Sequence, residues 1–258
     1  RNCHWDGPRA VPTTLAARQV SECLFACLQI QAGADVIKIT ATGGVLSNTA
    51  TGVNQQLSDD ELAAIVDAAH AMGRRVTAHA HGVNGINAAL RAGVDSIEHG
   101  SYIDRESVRL LRQGNRYLVP TLLAGYWSLR MAEQGGILTP AQEVKARQVG
   151  ADMANMGRFA HDNNVRIAFG TDTGVSPHGM NAREFQLLVQ SGFTPLETIQ
   201  MATINAADHL QLNGVAGRIA PGYSADVIAV DGDPLADVAV LENAMRFVMA
   251  RGSVHRND

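Results

Sequence analysis

Short apolar runs alternate with amphipathic stretches through most of the chain. Val36, Ile37 and Ile39 surround Lys38 in a β-branched run that predicts a buried strand over 34–40. Ahead of it, Leu15, Val20, Leu24, Cys27 and Leu28 recur near helical spacing and predict a helix over 13–32, ended before Gly33. Ala41 to Gln56 is a loop rich in Gly, Thr, Ser and Asn, long enough to suggest function. Ser58 followed by Glu61 reads as a capping box opening a helix that stops at Gly73. Strands are expected at 75–80, 94–99, 117–122 and 165–170. Helices are expected at 82–92, 104–113, 140–163, 181–192 and 195–211, with 123–139 a long connection. Five strands alternating with helices predict an α/β chain with a parallel sheet, its strands apolar on both faces. The alternation breaks after residue 212. There 215–230 and 244–254 read as antiparallel β around Pro-Gly and Gly-Asp-Pro turns, so the chain divides into 1–212 and a small module, 213–258.

Composition adds exclusions. With 258 residues, 46% hydrophobic and 18% charged, the chain can bury a sizeable core. A net charge of -4 without any basic run argues against a nucleic-acid partner. No apolar run approaches the roughly 18 residues of a membrane span. Cys3, Cys23 and Cys27 make no disulfide framework; Cys23 and Cys27, four apart, suit helix packing. The chain begins with Arg1, so no targeting signal is legible; compartment stays open, with the cytoplasm favoured over periplasm or secretion. His4 reads as a loop residue.

The chemistry sits where strands end. Lysine is rare, only Lys38 and Lys145 against 19 arginines, and one lies inside an apolar strand. An unpaired buried ammonium is costly, so Lys38 either reaches an exposed strand end or is paired, neutral or modified. His79, His99 and Asp172 close three other strands. In parallel α/β folds ligands bind at the carboxyl ends of strands, and these groups are competent metal ligands once the lysine is no longer an ammonium. His81, two residues beyond His79, shares its face if the strand continues.

Several stretches together resemble the metal-dependent amidohydrolases, in the branch of imidazolonepropionase-like proteins and Xaa-Pro dipeptidases. They are GADVIKITATGG around Lys38, VTAHAHG around His79, SIEHGSYID around His99, AFGTDTGVSPHGMNAREF around Asp172, and the terminal ATINAADHLQLNGVAGRIAPGYSADVIAVDGDP. The resemblance implies a distorted (β/α)8 TIM barrel, here strands 4–8 with their helices, plus part of a small β-sandwich. It implies a binuclear centre of two divalent ions, zinc favoured, with Lys38 carbamylated as an anionic bridge. His79 and His99 would bind one metal and Asp172 the other. Asp172 would also act as base and then acid while a metal-bridging hydroxide attacks an amide carbonyl. His81, His178 and Tyr102 are candidates for substrate contact. A dipeptide or N-acyl amino acid is the expected substrate; a cyclic imidazolone-type amide, or an inactive assembly subunit, is the alternative.

The family's His-x-His pair from its first barrel strand has no counterpart here, and the only such pair, His79-Ala80-His81, stands elsewhere. A whole barrel takes about 250 residues by itself. The expectation is therefore that residue 1 follows the third strand of the parent fold. The active molecule would include an N-terminal portion of the same fold, as a homo-oligomer.

Overall fold

The computed structural model describes residues 15–47 and 52–258, with side chains described from Glu22 onward. His4 and the loop tip at 48–51 lie outside the described residues. The chain divides into two compact units, Arg1–Arg116 and Tyr117–Asp258.

The first unit alternates strictly: α1 (Leu15–Gln31), β1 (Val36–Thr40), α2 (Asp59–Ala71), β2 (Arg75–Ala80), α3 (Val83–Ala92), β3 (Ser96–His99) and α4 (Arg105–Gln113). β1 pairs with β2 and β2 with β3, both parallel. Local chemistry sets the helix starts. Ser58 and Glu61 form the expected capping box at α2, and Asp104 with Ser107 forms one at α4. Gly93, in the left-handed region, ends α3. Register fixes the faces. Ile37, Val76, Ile39, Ala78 and Ile97 fall in matched rows and are buried, as are Leu62, Ile65 and Val66 of α2 and Ile86 and Leu90 of α3. Each of the buried Val, Leu and Ile side chains contributes on the order of 2 kcal/mol by leaving water.

The other face corrects the sequence reading. The strands are not apolar on both sides: Lys38 pairs with Thr77 and Thr77 with Ser96, while Thr40 pairs with His79 and His79 with Glu98. Val36, Lys38 and Thr40 are exposed and only Ile37 and Ile39 of β1 are buried. β1 is thus half-buried, and its lysine stands on the open, polar side.

The second unit contains β4 (Tyr117–Val119), α5 (Leu122–Gln134), α6 (Pro140–Asp162), α7 (Arg183–Gln190) and α8 (Pro195–Gln200). α8 runs through a π-turn at Met201–Asn205 into α9 (Ala206–His209). Then come β5 (Val227–Val230), α10 (Val240–Asn243), β6 (Met245–Ala250) and β7 (Ser253–Asn257). Residues 123–139, expected as a connection, are largely α5. It packs on α6 at a close approach that only glycine allows: a Cβ on Gly150 would lie 2.8 Å from the carbonyl of Gly125. The strand expected at 165–170 reduces to one parallel bridge, Leu118 to Ile167. Its backbone is partly spent elsewhere, since Ile167 O accepts from Asn205 Nδ2 and Phe169 N donates to Met201 O. Near the C-terminus β5, β6 and β7 form the expected antiparallel sheet, but 215–226 is irregular. Among the described residues no helix is long and apolar enough to cross a membrane.

Candidate functional site

Three imidazoles meet at the carboxyl ends of β2 and β3. The ring centroid of His79 lies 4.8 Å from that of His81 and 4.5 Å from that of His99, and His81 and His99 stack at 4.9 Å. One ligand nitrogen from each ring falls within 4.8 Å of the others. His81 and His99 are buried.

Each ring is placed differently. His79 sits in β2 on the polar face. His99 does not arrive by strand alternation. It is in register with Ala80, two rows beyond Ala78 and Ile97, so a regular strand would send it toward the same apolar side. Its φ of 70° breaks the alternation. Such a conformation is strained for a residue with a side chain, and it accounts for the imidazole lying among the other two. His81 lies just past β2 and is clamped from four directions. Its N–H donates to Thr42 Oγ1 (2.9 Å), its carbonyl accepts from Tyr102 N (3.1 Å), its Nδ1 meets Ser101 Oγ (2.7 Å), and its ring stacks on His99.

Burial holds the His99 pKa well below the ordinary histidine value, and the neighbouring charges of His81, His79 and Lys38 push the same way. His99 is therefore a neutral imidazole with a lone pair to offer. Lys38 is near enough to act on it, although exposed. A cluster of imidazole nitrogens at this spacing suits a borderline divalent ion, so the donor set fits a metal.

The walls of the site come partly from the 41–56 loop, whose length alone suggested function. The chain after β1 folds back on itself: Thr42 bridges Gln55, and Gly43 N donates to Asn54 O. This brings Gly44 against His79, where an added Cβ would stand 3.0 Å from Nε2. Beneath the histidines, Ser96 Oγ lies 2.7 Å from Thr77 Oγ1 and 3.1 Å from Glu98 Oε1, its one hydrogen shared between them, and the Thr77 hydroxyl also bonds that carboxylate. Ser101, Thr77 and Glu98 lie next to the histidines in sequence, but nothing in their spacing announced these pairings.

Lys38, His79, His81, His99 and Tyr102 thus belong to the first unit. Asp172 and His178 belong to the second, both exposed, in the turn that precedes α7. Asp172 also has a positive φ, 52°, and its carbonyl accepts from Val175 N (3.2 Å). Thr171 and Thr173 bond to each other across it (2.8 Å).

Residues 2–254 match the amidohydrolase family. Ochratoxinase of Aspergillus niger is 38% identical over 217 residues, which cover 83% of this chain and 44% of that protein. A solved Xaa-Pro dipeptidase with bound methionine superposes with a TM-score of 0.89 at 38% identity, over 93% of this chain and 59% of that one. A prolidase complexed with N-methylphosphonate-L-proline superposes at 0.82 and 31% identity, over 92% and 58%. The chain spans about half the length of the curated relatives it matches.

Proposed function

Since the chain belongs to the amidohydrolase family, with part of its TIM-barrel-like fold and a second, antiparallel sheet, we propose that it hydrolyses an amide bond in a dipeptide or N-acyl amino acid. The convergence of His79, His81 and His99 carries this reading. The likeness to a Xaa-Pro dipeptidase and a prolidase supports the substrate class.

His79 and His99 would hold a metal through their ring nitrogens. Lys38, on the polar face with them, would serve with its amine carbamylated as an anionic ligand of a two-metal centre. A divalent ion bound there would supply Lewis acidity, able to acidify water and polarise a carbonyl. Asp172 takes the proton from water and passes it to the leaving amine, so that water adds across the C–N bond. His81, His178 and Tyr102 contact the substrate. An N-terminal portion of the same fold, supplying further ligands, belongs to the proposal.

Metal analysis together with an assay panel tests it. With zinc and bicarbonate present, the protein is expected to cleave Xaa-Pro dipeptides or N-acyl amino acids in preference to imidazolones. His79→Ala and His99→Ala should lose metal. Asp172→Asn should keep the fold and lose about a hundredfold or more in turnover. Unchanged metal content in both histidine variants would refute the site, and unchanged turnover in the aspartate variant would refute its role.

A further inference from the structure

Ser101 decides what His81 can do. Its Oγ lies 2.7 Å from His81 Nδ1, and both residues are 4% exposed. Among the described residues this is the side-chain hydrogen bond that Ser101 Oγ makes. A hydroxyl has one hydrogen and two lone pairs. Two arrangements satisfy the distance. In one, His81 Nδ1–H donates to Oγ, whether the ring is neutral or charged, and the hydroxyl hydrogen is left without an acceptor among the described residues. In the other, Oγ–H donates to Nδ1, and only an oxygen lone pair goes unused. Buried donors without acceptors are the rarer and costlier case, because an under-used lone pair is tolerated more readily.

We infer that Ser101 donates its hydroxyl hydrogen to His81 Nδ1, fixing His81 as the Nε2–H tautomer and making it a hydrogen-bond donor to a substrate oxygen rather than a third metal ligand. With Nδ1 occupied and the hydrogen on Nε2, neither ring nitrogen has a lone pair free for a metal. The metal then falls to His79 and His99, although all three rings are equally close. The surroundings hold His81 in this orientation: Thr42 Oγ1 takes its backbone N–H, Tyr102 N binds its carbonyl, and His99 stacks on its ring. A fixed N–H beside a metal site suits the oxygen of an amide carbonyl, which gains negative charge as water adds. Ser101 is a positioning residue, acting through His81. Only this last functional step rests on the proposed hydrolase reading.

Long-range nitrogen–proton correlation spectra of the 15N-histidine-labelled full chain, without metal, read the tautomer directly. The expected result is a protonated Nε2 and a bare Nδ1 on His81; a proton on Nδ1 overturns the inference. Ser101→Ala should abolish the single tautomer and Ser101→Thr should retain it. A pure Nε2–H form in Ser101→Ala would show that the serine is not the cause, and the wild-type spectrum stands even if that variant fails to fold. Zinc should shift the His79 and His99 nitrogens and leave the His81 Nε2 proton in place; its loss overturns the exclusion of His81 as a ligand. In the turnover assay Ser101→Ala should lower kcat about tenfold with KM little changed, and Ser101→Thr should restore it. The predicted tautomer in a protein that cleaves no amide would sink the hydrolase reading and leave the serine assignment standing.

Discussion

Replacing Glu184 by glutamine tests how one buried carboxyl group organises the second unit. Glu184 is fully buried near the start of α7, and its two oxygens accept backbone N–H bonds from Leu122 (2.9 Å) and Leu123 (2.6 Å). These are orphan donors of the first turn of α5. Thr121, at the N-cap, has a φ of 47° and makes no side-chain bond to them, so a residue from another helix supplies the cap. Burial pushes the Glu184 pKa from 4.5 up to about 8, against the two N–H bonds that favour the anion. The folded chain therefore keeps a proton that the unfolded chain releases above about pH 4.5. This contribution to stability is fullest below that pH, declines as pH rises, and is spent above about 8. The window covers 3.5 units, which at about 1.4 kcal/mol per unit amounts to roughly 5 kcal/mol. Glu184→Gln cannot titrate. It also turns an amide NH2 toward one of the two backbone donors, leaving that donor without an acceptor at a cost of about 1–3 kcal/mol. The two stability curves should therefore cross: the variant weaker near pH 5, and equal or stronger near pH 8. Urea unfolding of both proteins across this range measures the difference, from which the titrations they share cancel. Parallel curves would refute the buried-proton account, and a variant more stable at every pH would refute the cap.

Two further substitutions probe the walls of the histidine site. Gly44→Ala should displace His79, since its Cβ would stand 3.0 Å from Nε2. Zinc affinity should fall about tenfold, as for other groups that orient a ligand, and competition with a chromophoric chelator reads it; an unchanged affinity would mean that the loop yields instead. Thr77→Val keeps the shape but removes the hydroxyl shared by Ser96 and Glu98. Thermal unfolding should show a loss of about 1–3 kcal/mol, mostly recovered in Thr77→Ser; equal losses in the two variants would assign the effect to packing.

Much of the first unit was legible because its signals are local. Ser58 with Glu61 announced α2, Gly73 and Gly93 closed helices, and His79 and His99 stood at strand ends where expected. The second unit was harder to read. α5 looked like a connection because the residue that caps it is about sixty positions away. Val165 to Gly170 looked like a full strand, yet Asn205 and Met201 take backbone groups that a strand neighbour would have used.

Taken alone, the order of residues determined the alternation of strands and helices, the helix caps, the strand-end histidines and the family resemblance. All of these follow from periodicity or short motifs, which a chain expresses within a few residues. Only the tertiary structure decided that Lys38 lies on an exposed polar face, that His99 leaves the strand pattern through a positive φ, and that Ser101 meets His81. Burial and long-range hydrogen bonds depend on which segments pack together, and a positive φ at a histidine is a local cost that the surrounding fold must offset. Local spacing carries no record of either.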